Sequence, residues 1–124
     1  MKISKLFTEK KFVFSLEVFP PRKSSSIKTI YQTLEGLKDI RPDFISVTYG
    51  AGGNPSDNST CEIAHIIKGE YGIEALPHLT CVNSSTSQVE KVLEYLREHH
   101  LENVLALRGD INPDVPPQKD FRYA

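Results

Sequence analysis

The chain has almost no net charge, few cysteines and no long apolar run, and each lack removes a class of function. Its 124 residues carry 15 basic and 16 acidic side chains, a formal net charge of -1. That balance gives no electrostatic footing for nucleic acid or an anionic membrane surface. No apolar run approaches the roughly 20 residues of a membrane span. The opening Met1-Lys2-Ile3-Ser4-Lys5-Leu6-Phe7 lacks the apolar centre of a signal peptide. It reads instead as a short amphipathic helix with Ile3, Leu6 and Phe7 on one side. Only two cysteines are present, Cys61 and Cys81. Their spacing fits neither a CxxC metal pair nor a disulfide framework, so both are read as reduced structural thiols, and the expected location is cytoplasmic.

What is present is the composition of a globular domain, 39% hydrophobic and 25% charged, long enough to bury a core. Strand-like runs recur at intervals of about 30 residues, at Phe12–Phe19, Asp43–Tyr49, Ile73–Thr80 and Asn103–Leu107. Helical spacing fills the gaps. Ile27, Ile30, Tyr31, Leu34 and Leu37 mark a helix over about Ser26–Asp39. A second starts near Ser59, where Ser59-x-x-Glu62 matches a capping box and Ile63, Ile66 and Ile67 form the apolar face. A third covers about Ser87–His99, with Ser87-x-x-Glu90 as its box and Val89, Val92, Leu93 and Leu96 as its stripe. A polar, proline-containing tail follows from Gly109 to Ala124. Regular alternation of strand and helix predicts parallel βαβ units.

Parity within the strands narrows the architecture. Phe12, Phe14, Leu16 and Val18 share one face of the first strand, and Val13, Ser15 and Glu17 the other. Ile45 and Val47 oppose Phe44, Ser46 and Thr48, while Ala75 and Leu79 oppose Glu74, Leu76, His78 and Thr80. Leu105 and Leu107 oppose Val104, Ala106 and Arg108. One face of each strand is apolar, suited to covering helices, and the other turns polar toward the strand's C-terminal end. A doubly wound sheet needs both faces apolar. A barrel lumen tolerates polar groups near its mouth, where active sites of that fold lie. The expected fold is therefore α/β of the (β/α)8 TIM-barrel type. That barrel takes about 250 residues, so residues 1–124 supply about four of its eight units, an N-terminal half.

Four candidate groups face that mouth. Glu17 is a carboxylate late in an apolar strand, costly to bury unpaired. Burial raises a carboxyl pKa, which suits a general acid near neutrality. The bland reading is an ion pair with Arg22 or Arg108. Arg108-Gly109-Asp110 follows the fourth strand directly, with Gly109 free to take an unusual turn and Asp110 either a second mouth carboxylate or a capping residue. His78 and Thr80 lie on the inward face, although a lone strand histidine is more often a bonded core residue. Thr48-Tyr49-Gly50-Ala51-Gly52-Gly53 is a glycine-rich loop without the Rossmann or Walker A pattern, able to pack backbone against a flat ligand. Nothing in the spacing of Glu17, His78 and Asp110 favours a metal.

The segments Phe14-Ser15-Leu16-Glu17-Val18-Phe19-Pro20-Pro21-Arg22, Phe44-Ile45-Ser46-Val47-Thr48-Tyr49-Gly50-Ala51, Pro77-His78-Leu79-Thr80-Cys81 and Leu105-Ala106-Leu107-Arg108-Gly109-Asp110 resemble the methylenetetrahydrofolate reductase family, in that family's order. The resemblance runs from about residue 10 onward. It implies a noncovalent FAD at the barrel mouth, NADH or NADPH as hydride source, and reduction of 5,10-methylenetetrahydrofolate to 5-methyltetrahydrofolate. It implies Glu17 as the general acid for opening the folate's five-membered ring, and Asp110 as the carboxylate near pterin and flavin that stabilises the cationic iminium. It places Thr48 near flavin and nicotinamide. Tyr49, Ala51, His78, Arg108, Gly109 and Ala124 match flavin-contacting positions. The family's barrel continues well past residue 124. Two expectations follow: a half that works with the missing half, or a non-catalytic half barrel acting only through association. Exposed edges on the first and fourth strands invite self-association or pairing with the other half.

Overall fold

The computed structural model describes residues 1–21, 28–49, 59–82 and 84–110. Four strands, β1 (Ser15–Val18), β2 (Phe44–Val47), β3 (Glu74–Thr80) and β4 (Leu105–Leu107), form one sheet in the order β1-β2-β3-β4. All three pairings are parallel. The helices are α1 (Leu6–Glu9), α2 (Lys28–Leu37), α3 (Ser59–Tyr71) and α4 (Thr86–Glu98), with short 3-10 turns before α1 and after α2. Sequential parallel order with helical connections is the expected βα succession, consistent with part of a TIM-barrel-like fold.

The main core lies between one sheet face and the helices. Val18, Ile45, Val47 and Ala75 come from the strands; Ile30 and Leu34 from α2, Ile63 and Ile67 from α3, and Leu96 from α4 meet them. β2 is buried along its whole length because strands flank it on both sides. The other sheet face carries a smaller cluster at its N-terminal end, where Ile3 and Leu6 pack on Phe44, Val13 and Leu76. The N-terminal helix expected from Ile3 and Leu6 is thus present and covers that end, while Phe7 stays exposed and meets Phe44 edge-on. Polar ties hold it there. The Met1 ammonium contacts Glu74 at 2.8 Å, and Asn103 accepts from the Ile3 N–H at 2.8 Å.

The structure corrects several local readings. β1 is shorter than Phe12–Phe19, and Phe12, Phe14 and Phe19 are exposed, since an edge strand has a neighbour on one side only. α4 is capped by Ser85 with Gln88, a reciprocal box two residues ahead of the Ser87–Glu90 match. Ser and Gln satisfy the same bonds as Ser and Glu, so two overlapping matches competed. Leu93 is exposed rather than part of the buried α4 stripe. The largest correction concerns β4. Leu105 stands opposite His78 and Leu107 opposite Thr80, so both leucines share the inner face, and Ala106 shares the helix-facing side with Leu79. The three-residue strand is apolar on both faces, so composition alone could not orient it.

Candidate active site at the strand ends

The inner face gathers polar groups at the C-terminal ends of adjacent strands. Strand pairing sets Glu17 beside Ser46 and Ser46 beside Leu76, two residues before His78. The Ser46 hydroxyl donates to Glu17 Oε2 across 3.1 Å. His78 Nε2 stands 3.6 Å from the same oxygen, an ion pair only when the imidazole is protonated. Of the two ion-pair partners expected for Glu17, only Arg108 lies among the described residues, and it is engaged elsewhere. Arg108 turns its Nε–H to the Gly109 carbonyl at 3.3 Å, and Arg22 lies outside the described residues. Glu17 is also not buried here: its side chain is 47% exposed, against 12% for His78. The expectation of burial failed because β1 is an edge of the described sheet.

The rim beyond these residues is held by backbone bonds. Thr48 donates its N–H to the Val18 carbonyl at 3.1 Å, extending the β1–β2 pairing to the rim. Thr60, buried in the first turn of α3, donates its hydroxyl to the Thr48 carbonyl at 3.0 Å. This ties the end of β2 to the first turn of α3. Tyr49, next in the chain after Thr48, is half-buried. Across β3, the Arg108 carbonyl accepts from the Cys81 N–H at 3.2 Å and the Val82 N–H at 2.8 Å. Gly109 then takes φ +86, and a Cβ there would lie 3.0 Å from Thr80 Cβ. The glycine is required by the protein's own packing. Asp110 follows, exposed, at the end of β4.

Of the residues picked from sequence, Glu17, Thr48, Tyr49, His78, Arg108, Gly109 and Asp110 all stand at or next to this one end of the sheet. Glu17 and His78 are brought into contact, whereas Asp110 sits across the sheet at the end of the opposite edge strand. Ala51 and Ala124 lie outside the described residues. Ser46 and Thr60 carried no functional reading in the sequence; strand parity placed Ser46 on Glu17's face, which was the available signal. Cys61 is buried in α3, and burial pushes its thiol up to about 11, as fits a structural cysteine. Among the described residues, no three or more His, Cys, Asp or Glu side chains are grouped to hold a metal, and no helix is long and apolar enough to cross a membrane.

The model of the methylenetetrahydrofolate reductase family matches residues 2–124. The chain belongs to that family. It is 39% identical over 97 residues to 5,10-methylenetetrahydrofolate reductase of Pectobacterium carotovorum, covering 78% of this chain and 32% of that protein. It is 36% identical over 99 residues to the Escherichia coli enzyme of the same name, covering 80% and 33%. Against methylenetetrahydrofolate reductase (NADH) 1 of Arabidopsis thaliana it is 35% identical over 109 residues, covering 88% and 18%. The chain therefore spans about a third of the length of these bacterial relatives and less than a fifth of the plant one.

Proposed function

We propose that the chain forms the N-terminal half of a (β/α)8 barrel that reduces 5,10-methylenetetrahydrofolate to 5-methyltetrahydrofolate, with FAD as cofactor and NADH or NADPH as hydride source. The observation that carries the reading is the Glu17–Ser46–His78 cluster, on one sheet face at the C-terminal strand ends, in a chain of this family. Barrel enzymes assemble their sites from those ends.

The residues present fit a flat, amphiphilic cofactor. Half-buried Thr48 and Tyr49 and the exposed Arg108 offer polar and aromatic groups along the rim, and Leu105 and Leu107, 38% and 39% exposed, give an apolar floor beside them. Bound FAD would supply hydride transfer between the nicotinamide and the folate. The protein's part is binding, orientation and proton transfer. Glu17 donates a proton to the folate ring nitrogen that leaves as the five-membered ring opens. Asp110 lends negative charge to the cationic iminium.

The sheet edges at β1 and β4 and the exposed Leu105 and Leu107 on β4 suit pairing with further barrel strands, from the other half or from a second copy. Titrating the purified chain with FAD, with gel filtration alongside, tests whether this half already binds the cofactor. In a complete barrel, Glu17→Gln abolishes folate reduction and leaves flavin reduction by the nicotinamide intact. Stopped-flow measurement of the two half-reactions decides, and equal loss in both would remove Glu17 from the acid role.

A further inference from the structure

We propose that Ser46 is a positioning residue for Glu17, holding its carboxyl in one rotamer both before and after proton transfer. The inference deepens the proposed function, since it gives the acid of that reading its support, but the geometry it uses is independent of any substrate.

A proton donor faces a particular difficulty. Its partners must suit an acid in one half of the cycle and a carboxylate in the other. Lysine, arginine and backbone N–H groups only donate, so they favour the ionised form alone. A hydroxyl has one proton to give and two lone pairs to accept with. Ser46 Oγ lies 3.1 Å from Glu17 Oε2 and 3.4 Å from the Leu16 carbonyl oxygen, so it has two acceptors within reach and one proton to share between them. When Glu17 is ionised, the hydroxyl donates to Oε2. When Glu17 is protonated, the carboxyl O–H donates to Ser46 Oγ, and the serine proton rotates onto the Leu16 carbonyl. Both arrangements are satisfied, and no heavy atom has to move between them.

The serine is well placed to hold still. It is buried, sits in a strand flanked on both sides, and stands in register with Glu17 itself. The Leu16 carbonyl belongs to the residue before Glu17, so the relay closes on Glu17's own strand. Glu17, by contrast, is half open to solvent on the edge strand, where an unheld side chain would sample several rotamers. His78 at 3.6 Å is beyond hydrogen-bond reach and cannot replace the serine.

The test is side-chain NMR on the isotopically labelled 124-residue chain, reading the three-bond couplings that define the Glu17 χ1 and χ2 rotamers. The unsubstituted chain is expected to show single-rotamer couplings. Glu17→Gln, a neutral stand-in for the protonated acid, is expected to keep them. Ser46→Ala is expected to give averaged couplings at residue 17, with Ile45 and His78 signals in place as evidence of an intact sheet. Single-rotamer couplings in Ser46→Ala, or averaged couplings without any substitution, would overturn the proposal. Neither flavin nor folate enters the measurement. If Glu17→Gln spares folate reduction in a complete barrel while the couplings behave as stated, the acid reading falls and the positioning role stands.

Discussion

Alanine at Gly109 would tax the fold twice, and two other glycines separate the charges. Gly109 has φ +86, so an L side chain there costs about 1–2 kcal/mol in backbone conformation alone. Its Cβ would also lie 3.0 Å from Thr80 Cβ and 3.1 Å from Val82 Cγ1. Thr80 Cβ is attached directly to β3 backbone, so relief requires moving the strand or the Arg108 turn rather than a side-chain tip. Overpacking of that kind adds about 1–3 kcal/mol, for a total loss of about 2–5 kcal/mol. Gly72 has φ +64 with nothing within 4 Å of a Cβ, so its alanine variant loses only the conformational part, about 1–2 kcal/mol. Gly36 lies inside α2 with open space around it, and its alanine variant gains about 0.5–1 kcal/mol. Urea unfolding of the three variants beside the parent chain gives the order through the midpoint at constant slope. Gly109→Ala no worse than Gly72→Ala would refute the claimed close contact between the Arg108 turn and β3. Gly72→Ala at parental stability would refute the conformational part as well.

Three further outcomes are expected. Thr60→Val keeps the shape but leaves the Thr48 carbonyl without its donor, costing about 1–3 kcal/mol in a urea titration and loosening the rim at Thr48, which amide exchange reads. Cys61 is buried with its thiol pushed up to about 11, so at pH 8 about one part in a thousand is thiolate; a thiol reagent labels Cys81 first and Cys61 only on unfolding, and equal labelling rates would contradict the packing. Asp43 is held below the ordinary carboxylate range by Lys10 and the Phe14 N–H. Burial pushes Glu74 up, but the Met1 ammonium and Lys68 outweigh it and hold it low too. Because both folded values are depressed, their stabilisation is complete only above about pH 5, clear of the ordinary carboxylate values, and is lost as pH falls from there through the lower folded values, so Asp43→Asn and Glu74→Gln should flatten the acid limb of the urea midpoint against pH.

The sequence was most legible where periodicity was strong. The strand–helix succession, the parallel order and the apolar faces of α2 and α3 follow from spacing that only one secondary structure satisfies. The polar inner face followed from parity, and the Glu17–His78 contact realises it. Failures came where two readings fit equally. β4 is apolar on both faces, so only pairing with β3 reveals that Leu105 and Leu107 look inward. Ser85–Gln88 and Ser87–Glu90 are both capping patterns, and the first won. Ser46 and Thr60 act through partners distant in sequence, Glu17 and the Thr48 carbonyl, and no local motif announces such bonds.

Glu17 links the legible and the illegible parts of the site. Its residue type, strand and face were readable, and its burial was not, because burial belongs to neighbours outside the strand. An acid that keeps its proton near neutrality draws on a desolvated setting. A side chain 47% exposed on an edge strand lacks that setting. On the proposed reading the missing cover comes from strands added at the β1 edge, from residues across the closed lumen, and from the flat cofactor over Leu105 and Leu107. On that reading, position and hydrogen bonding are local to the described sheet, whereas cover for the carboxyl comes with the closed barrel. The same division gives Ser46 its part already in the described sheet. It fixes where the carboxyl points before anything else decides when the proton leaves.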